Sequence, residues 1–380
     1  MSLDLFDHKL LIQFEQNRRE RNDSVASFAS DSELAADSSV LLELIALDME
    51  IRLSQGEQFS TDSYYFDFPH LVHQIPEIYH QVIREFKRGF CPVVSRLGQL
   101  PCMVDGYLIE KEISRGGMGV VYLASKGTGK QKYAFKLPFF KTGNDFNESK
   151  ILERTNHPNI CKLVASGTWE DFSYICMELI SGGTVKEKLQ RLGRFDLLFA
   201  VQLAIQIAEG LDHIHRQGVV HFDINSSNVV IGNDETPILI DFGLSVAVSV
   251  YGPDELVVNS FGTPDYMAPE MYDQKFGKPG PASDVYGLGV LMYEMITGLR
   301  PFTIKSALDV EAAFKYPPSR PSDFDGLEID SKLEGICLAA LSKNVADRIA
   351  STEQLIEELQ GWIDQQSQAS PLQRRAKITS

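Results

Sequence analysis

The sequence predicts an α+β fold in which a small antiparallel sheet is followed by a larger, mainly helical region, and a small helical region precedes both. From Tyr107 onward, short runs of β-branched and apolar residues are separated by Gly-rich or polar turns, which is typical of antiparallel strands. From Leu197 onward, apolar residues recur with the period of a helix. A chain of 380 residues with 43% hydrophobic residues is long enough to form a substantial core.

The N-terminal part is predicted to be poor in ordered structure. Ser, Asp and Ala dominate residues 22–39, and few large apolar side chains are available to offset the entropy lost on ordering. We therefore expect residues 1–39 to be an N-terminal segment and flexible linker.

Residues 40–104 are predicted to form a helical accessory region. Apolar residues spaced on one face indicate a helix that starts at Val40 and ends near Gly56. A second helix is expected to start at Pro76 and to end near Gly89, because proline suits the first turn and glycine the C-terminus.

The sheet and the later helices follow from the same patterns. Strands are predicted at Val120–Ala124, Tyr133–Leu137 and Tyr174–Leu179. Helices are predicted at Leu197–Ile214, Val285–Ile296, Lys332–Leu341 and Glu353–Trp362. Residues 365–380 are polar, include Arg374, Arg375 and Lys377, and lack an apolar period, so we expect a disordered polar tail.

Composition excludes several classes of protein. The formal net charge of -16 disfavours a nucleic-acid-binding protein, which needs a basic surface. The longest apolar stretch, Val285 to Gly298, contains Glu294 and is too short to span a bilayer, and the first residues do not form a secretory signal. The cysteines are dispersed and odd in number: Cys91, Cys102, Cys161, Cys176 and Cys337. We expect a cytoplasmic protein without a membrane anchor.

Histidines in the accessory region could be imagined as a metal cluster. They are His70, His73 and His80. Because no fourth ligand follows at the spacing of a metal site, a structural role is favoured.

The most informative pattern is a run of polar residues followed by a short acidic motif. The run is His221-Phe222-Asp223-Ile224-Asn225-Ser226-Ser227-Asn228, and the motif is Asp241-Phe242-Gly243. Other motifs appear in order: Ser114-Arg115-Gly116-Gly117-Met118-Gly119-Val120-Val121, Ala134-Phe135-Lys136, Gly262-Thr263-Pro264, Ala268-Pro269-Glu270 and Asp347-Arg348.

Together these motifs resemble the protein kinase superfamily, and most of all the eukaryotic-like serine/threonine protein kinases of bacteria. The resemblance spans about residues 105 to 362, and a protein kinase domain is predicted over residues 105–364. It implies a two-lobed protein kinase fold with a small antiparallel β lobe that includes one helix, and a larger, mainly α lobe.

The resemblance also implies the catalytic residues. Asp223 corresponds to the catalytic base, and Asn228 and Asp241 correspond to the Mg²⁺ ligands. Thr263 corresponds to the hydroxyl that bonds the base in serine/threonine kinases. Lys136 corresponds to the contact with the α and β phosphates of ATP, and Glu148 is its favoured partner over Glu153.

An ATP site is implied around a glycine-rich turn, in which backbone N–H groups can approach phosphate oxygens closely. Adenine is flat and apolar, so aliphatic walls and a backbone edge are expected beside it. The implied residues are Ile113, Ser114, Gly116, Gly117, Gly119, Val121, Ala134, Lys136, Met177, Glu178, Ile180, Val230 and Asp241.

Other positions depart from the kinase pattern. Ser114 replaces the first glycine, which predicts a stiffer turn. Phe222 replaces an arginine that binds an activation-loop phosphate in many kinases. Asn225 replaces the catalytic-loop lysine of serine/threonine kinases, and loss of a positioned donor lowers the rate by about a hundred- to a thousandfold.

These observations predict a serine/threonine protein kinase with catalysis weakened by Asn225, which uses ATP and Mg²⁺ to phosphorylate Ser and Thr of protein substrates. The alternative is a nucleotide-binding pseudokinase that acts as a signalling scaffold. A buried ion pair between Glu270 and Arg348, and an anchor from Asp284 to the backbone of the catalytic loop, are expected to be structural.

Overall fold

The computed structural model describes residues 24–30, 38–55, 61–72, 74–79, 82, 97, 100–115, 119–127, 131–138, 147–169, 172–247, 263–304 and 313–368. The chain divides into two compact units. The first contains Met1–Phe146 and Val164–Leu179, and the second contains Asn147–Leu163 and Ile180–Ser380. One unit carries a large antiparallel sheet and the other is mainly helical, so the predicted α+β class is confirmed.

The first unit begins with helices. They are α1 (Val25–Ser30), α2 (Ser38–Gln55), α3 (Asp62–Asp67) and a 3₁₀ turn at Pro69–Leu71, and residues 75–79 are also helical. Leu41, Leu44 and Ile45 of α2 are fully buried, which explains the helix predicted from Val40. The predicted end of the second helix, near Gly89, lies outside the described residues.

The linker prediction is wrong over α1. Val25 and Ala29 lie one helical turn apart and are each only 2% exposed, and α1 contacts α2. Small apolar side chains that pack against a neighbouring helix stabilise this segment, although its composition alone is polar.

A six-stranded antiparallel sheet completes the first unit. Its strands are β1 (Cys102–Val104), β2 (Tyr107–Arg115), β3 (Gly119–Lys126), β4 (Lys132–Pro138), β5 (Leu163–Trp169) and β6 (Phe172–Glu178), in the spatial order β1-β2-β3-β4-β6-β5. The predicted strands are all present. Tyr107, Phe135 and Tyr174 form an aromatic cluster, with the rings of Phe135 and Tyr174 stacked 4.6 Å apart.

The second unit contains most of the helices. They are α4 (Asn147–Arg154), α5 (Val185–Leu192), α6 (Leu197–His215), α7 (Pro269–Tyr272), α8 (Pro281–Thr297), α9 (Ser331–Ala340) and α10 (Thr352–Gln368). Short strands accompany them: β7 (Gly182–Thr184), β8 (Val219–Val220), β9 (Val229–Gly232), β10 (Pro237–Leu239) and β11 (Val246–Ala247). Helix α6 packs against α8 and α10, and α9 contacts both of these helices.

Helix α6 is the core helix of this unit. Asp196 caps its N-terminus by accepting hydrogen bonds from the backbone N–H groups of Leu198 and Phe199. Within the described residues, α6 is the helix whose length and hydropathy would allow it to cross a membrane. Much of its apolar surface is instead buried inside the unit, as in the core helix of a globular domain.

The disordered tail was predicted to begin too early. Helix α10 continues to Gln368, and Gln366 Nε2 donates to Asp330 Oδ2 at 2.8 Å. The carboxylate of Asp330 also caps α9, so it ties the last turns of α10 to a neighbouring helix. Residues 369–380 lie outside the described part of the chain.

The predicted ion pair between Glu270 and Arg348 is confirmed. Both guanidinium Nη atoms donate to the Glu270 carboxylate at 2.7 Å, and neither side chain is exposed. Arg348 also donates to the backbone carbonyls of Ser342 and Ala282. Arg348 thus joins α7 and the first turn of α8 to the segment that follows α9.

Candidate active site

The loop that follows β8 is held in place by the carboxylate of Asp284. Asp284 Oδ2 accepts from the backbone N–H of His221 at 2.8 Å, and Oδ1 accepts from that of Phe222 at 2.7 Å. His215 Nε2 lies 2.8 Å from Asp284 Oδ2. Phe222 adopts a positive φ of 63°, a conformation that costs energy unless the surroundings hold it. The predicted anchoring by Asp284 is therefore confirmed.

Asp223 follows directly and its carboxylate is surrounded by donors. Thr263 donates to Oδ1 from both its backbone N and its Oγ1, at 3.1 and 3.0 Å. The Nδ2 of Asn225 donates to the same oxygen at 3.0 Å, and the Nδ2 of Asn228 donates to Oδ2 at 2.8 Å. The predicted bond from Thr263 is present. These contacts fix the orientation of the carboxylate, with Oδ1 bearing most of the donors.

Asn225 bridges Asp223 and Thr263. Its Nδ2 also lies 3.0 Å from Thr263 Oγ1, and its Oδ1 accepts from the backbone N–H of Ser227 at 2.8 Å. The side chain is buried, with 3% exposure. The amide thus supplies neutral hydrogen bonds where a lysine would bring a positive charge.

Asn228 and Asp241 place oxygen atoms beside Asp223. The Nδ2 of Asn228 donates to both the backbone O and the Oδ2 of Asp223. The remaining polar atom of the Asn228 side chain, its Oδ1, is therefore the one suited to a cation. Asp241 has a positive φ of 65° and accepts from the backbone N–H of Gly243 through Oδ1 at 3.2 Å. Ile240 N donates to Asn228 O at 2.9 Å, which ties the two segments together.

The ionisation of Asp223 reflects this setting. Burial raises the pKa of Asp223 to about 6, the nearby negative charge of Asp241 acts in the same direction, and the hydrogen bonds from Thr263 and Asn225 oppose both effects. Burial also lowers the pKa of His221, whose Nδ1 accepts from the backbone N–H of Asp223 at 3.3 Å. Asp223 is thus a carboxylate whose pKa lies close to neutral pH, as suits a general base.

Glu148 in α4 is connected to the segment that follows Asp241. Its Oε1 accepts from the backbone N–H of Phe242 at 3.2 Å, and its side chain is 3% exposed. The competing candidate, Glu153, is exposed. Because a buried carboxylate needs compensating partners, burial favours Glu148 as the functional residue of the two. Its pairing with Lys136 stays a prediction.

In the first unit, the sheet places several predicted ATP-site residues on one face. Val121 lies opposite Lys136 in the β3–β4 pairing, and Ala134 lies opposite Met177 in the β4–β6 pairing. Directly opposed residues and alternate residues along a strand share a face, so these side chains lie on the same side. Lys136 is only 4% exposed. The face combines a buried ammonium group with aliphatic surface.

The remaining predicted residues divide between the described and undescribed parts of the chain. Ser114 of β2 pairs with Val121 of β3, as expected for strand geometry. Ile113, also in β2, is 43% exposed. Gly119 starts β3, and Glu178 ends β6. In the second unit, Val230 lies in β9 and Ile180 is half-buried. Gly116 and Gly117 lie outside the described residues.

No metal cluster accompanies these groups in the described ranges, where no three His, Cys, Asp or Glu residues converge as ligands. His73 and His80 fall outside those ranges.

Comparison with known proteins identifies the family. The model of the protein kinase domain matches residues 107–359. This chain belongs to the protein kinase family. The match spans both structural units and includes every residue described at the site.

Relatives of this kinase occur in animals and bacteria. It is 37% identical over 166 residues to the hormonally up-regulated neu tumor-associated kinase of Mus musculus, covering 44% of this chain and 23% of the relative. It is 28% identical to the probable serine/threonine-protein kinase PknB of Lactococcus lactis, covering 67% and 42% respectively. It is also 30% identical to the serine/threonine-protein kinase drp72 of Corynebacterium efficiens, covering 66% and 49%. The chain therefore spans less than half the length of these relatives, and a bacterial origin stays a prediction.

The structure adds positions that sequence patterns did not identify. His215 is the last residue of α6 and lies just before the run that starts at His221, outside every predicted motif, and it bonds the carboxylate that anchors the catalytic loop. Ser226 Oγ lies 2.8 Å from the hydroxyl of Tyr266, which donates to Glu294. These residues have no local pattern, because their relation depends on how α6 and α8 pack around the loop.

Proposed function

We propose that this kinase transfers the γ-phosphate of ATP to Ser and Thr hydroxyls of proteins, at a rate lowered by Asn225. The observation that carries the proposal is the carboxylate of Asp223, which is oriented by Thr263 and Asn228 and has a pKa of about 6. Such a group is both positioned and mostly ionised at neutral pH, as a catalytic base must be.

Asp223 orients the attacking hydroxyl and accepts its proton. Three hydrogen bonds occupy Oδ1, so Oδ2, which accepts one bond from Asn228, is the atom assigned to the substrate. As the new oxygen–phosphorus bond forms, the bond between the γ-phosphorus and the bridging oxygen breaks, and ADP leaves with that electron pair. Thr263 and Asn225 hold the carboxylate still during transfer, which lowers the entropic cost of alignment.

Asn228 and Asp241 fit the chemistry of a magnesium site. Both offer oxygen atoms, which Mg²⁺ prefers, and they lie beside the carboxylate of Asp223. Burial and the negative charge of Asp241 both raise the pKa of Asp223, and the closeness of these two carboxylates supports the proposal of a divalent cation there. When bound, Mg²⁺ neutralises charge on the phosphates of ATP. Lys136 is proposed to contribute the ammonium contact to the α and β phosphates, with Glu148 as its partner.

Asn225 is the feature that weakens transfer. Its amide maintains the bridge between Asp223 and Thr263, so the geometry of the base survives the loss of lysine. The positive charge that would stabilise the transferring phosphoryl group is absent from this position. A pseudokinase scaffold is the alternative, because the same substitution could reduce transfer to a level without function.

Labelled-phosphate transfer separates these two functions. Wild-type protein, incubated with γ-labelled ATP and a generic basic protein, is expected to incorporate label on Ser or Thr. The Asp223→Asn variant is expected to lose at least about a hundredfold in rate while retaining its fold. Equal incorporation by both proteins, or none by wild type at high enzyme concentration, would favour the scaffold.

We further propose that the protein acts in the cytoplasm. Cys102, Cys176 and Cys337 carry free thiols. Free thiols at these positions suit a reducing compartment.

A further inference from the structure

A pocket lies in the helical unit, and its residues are different from those around Asp223. It has a volume of about 430 Å³ and is lined by parts of α6, α10 and the turn between β9 and β10. Phe199 and Ile363 provide apolar surface, three glutamine side chains also line the pocket, and Asp234 and Glu235 in the turn provide carboxylates. The pocket therefore combines an apolar lining with negative charge, which suits a peptide carrying both apolar and basic side chains.

The elements around this pocket are acidic. Neither α6, α10 nor the connecting turn contains Lys or Arg. Their acidic residues are Glu209, Asp212, Asp234, Glu235, Glu353, Glu357, Glu358 and Asp364. Arg216 contacts Asp212 and Glu353, so the charge near the pocket rests mainly on the other carboxylates. Asp234 and Glu235 are exposed and available to a cationic partner.

The segment that follows α10 has the complementary composition. Residues 369–380 contain Arg374, Arg375 and Lys377 and no acidic residue. Leu372 and Ile378 flank the basic positions. Opposite charges on the two partners favour their association, and the flanking aliphatic side chains match the apolar lining.

The connection between α10 and this segment makes the contact sterically feasible. Ile363, in the pocket lining, lies about 7.5 Å along the helix axis from Gln368, the last residue of α10. Pro371 cannot continue the helix with an intact hydrogen bond, so the chain can change direction there. An extended segment of about ten residues spans roughly 33 Å, far more than the return requires.

We propose that this pocket is an intramolecular docking site for residues 372–378 of the same chain. In this arrangement, Arg374, Arg375 and Lys377 neutralise the carboxylates of the turn, and the aliphatic residues cover the apolar lining. The contact links α10 to the β9–β10 turn across α6. The docking is independent of phosphoryl transfer and of the function proposed above.

A fluorescent peptide of residues 369–380 tests the docking by anisotropy. The acceptor is the full chain with Arg374→Glu, Arg375→Glu and Lys377→Glu, which cannot fill its own pocket. This variant is expected to bind the peptide, and more weakly as salt is raised. Wild-type protein is expected to bind it at least about tenfold more weakly, because a tethered segment competes at an effective concentration in the millimolar range.

A matched pair of charge reversals locates the binding site. Introduced into the same acceptor, Glu235→Lys is expected to weaken peptide binding about tenfold, while Glu328→Lys, an identical change at an exposed position outside the pocket, leaves it unaltered. Circular dichroism checks that each variant is folded. Absence of binding, equal binding to wild type and acceptor, or equal effects of the two reversals would each overturn the proposal. Concentration-dependent dimerisation that the tail reversals abolish would also overturn it, in favour of docking between copies.

Discussion

At the scale of single residues, the proposed function depends on the balance of forces on Asp223. Burial and Asp241 raise the pKa of its carboxyl group, while hydrogen bonds from Thr263 and Asn225 act against them. The result is a base that is mainly ionised at neutral pH but loses its charge under mild acid. The pH dependence of the reaction therefore reports directly on this cluster.

We predict that kcat/KM for phosphoryl transfer falls as pH decreases through about 6, since protonated Asp223 cannot accept a proton. Thr263→Val removes a hydrogen bond that stabilises the ionised carboxylate of Asp223. The acidic limb of the plot of kcat/KM against pH should therefore move to higher pH. Measurement of kcat/KM from pH 5 to 8 for both proteins checks this expectation. A limb that moves to lower pH in the variant would contradict it.

Asn225→Lys is predicted to raise kcat by about tenfold or more, because it restores a positive charge beside the transferring phosphoryl group. Asn225→Ala serves as the control. It removes the amide bridge to Asp223 and Thr263 without adding charge, and it should lower kcat. Steady-state kinetics on the three proteins measures the effect. An unchanged or lower kcat in a folded Asn225→Lys variant would show that the missing charge does not limit the rate.

At the scale of elements, the buried pair of Arg348 and Glu270 joins segments that are distant in sequence. Arg348→Met is predicted to lower the free energy of unfolding by about 3 to 5 kcal/mol, since Glu270 would keep a buried, uncompensated charge. Arg216→Met removes an arginine that is 68% exposed, and it should cost less than about 1 kcal/mol. Denaturant titration compares the two variants. Equal losses of unfolding free energy in the two variants would contradict the importance assigned to the burial of the pair.

The sequence predicted most elements because their periodicity is strong. Helices α6 and α8, and strands β3, β4 and β6, all carry apolar residues at the spacing that burial requires. Helix α1 was missed because Val25 and Ala29 gain their stability from contact with α2, which no local pattern reveals. The last turn of α10 was missed for a similar reason, since Asp330 of another segment holds Gln366.

The residues of the candidate site likewise divide into those that the sequence predicted and those that it did not. Asp223, Asn228, Asp241 and Thr263 were identified from ordered motifs, and the second unit brings them together. The bond of His215 to Asp284 and the bridging geometry of Asn225 could not be predicted, because both depend on tertiary packing. Resemblance indicated the candidate residues, while the structure shows that the amide of Asn225 bonds both Asp223 and Thr263.

At the scale of the whole molecule, the distribution of charge bears on regulation. The segment from Asp241 to Glu270 contains no Lys or Arg, and Phe222, which is 5% exposed, replaces a phosphate-binding arginine. A phosphate added to this segment would find no cation within the segment itself. We predict equal activity before and after phosphatase treatment, measured by labelled-phosphate transfer. Loss of activity on dephosphorylation would show that phosphorylation is the activating switch.

The most direct test of the account is calorimetric titration of the full chain with ATP in the presence and absence of Mg²⁺. We predict that wild type and Asp223→Asn both bind ATP and that Mg²⁺ strengthens this binding. Asp241→Ala is expected to bind ATP at least about tenfold more weakly in the presence of Mg²⁺, because the carboxylate of Asp241 is assigned to the cation. If wild-type protein takes up no ATP, or if Mg²⁺ changes nothing, then the oxygens around Asp223 do not form a nucleotide-linked metal site.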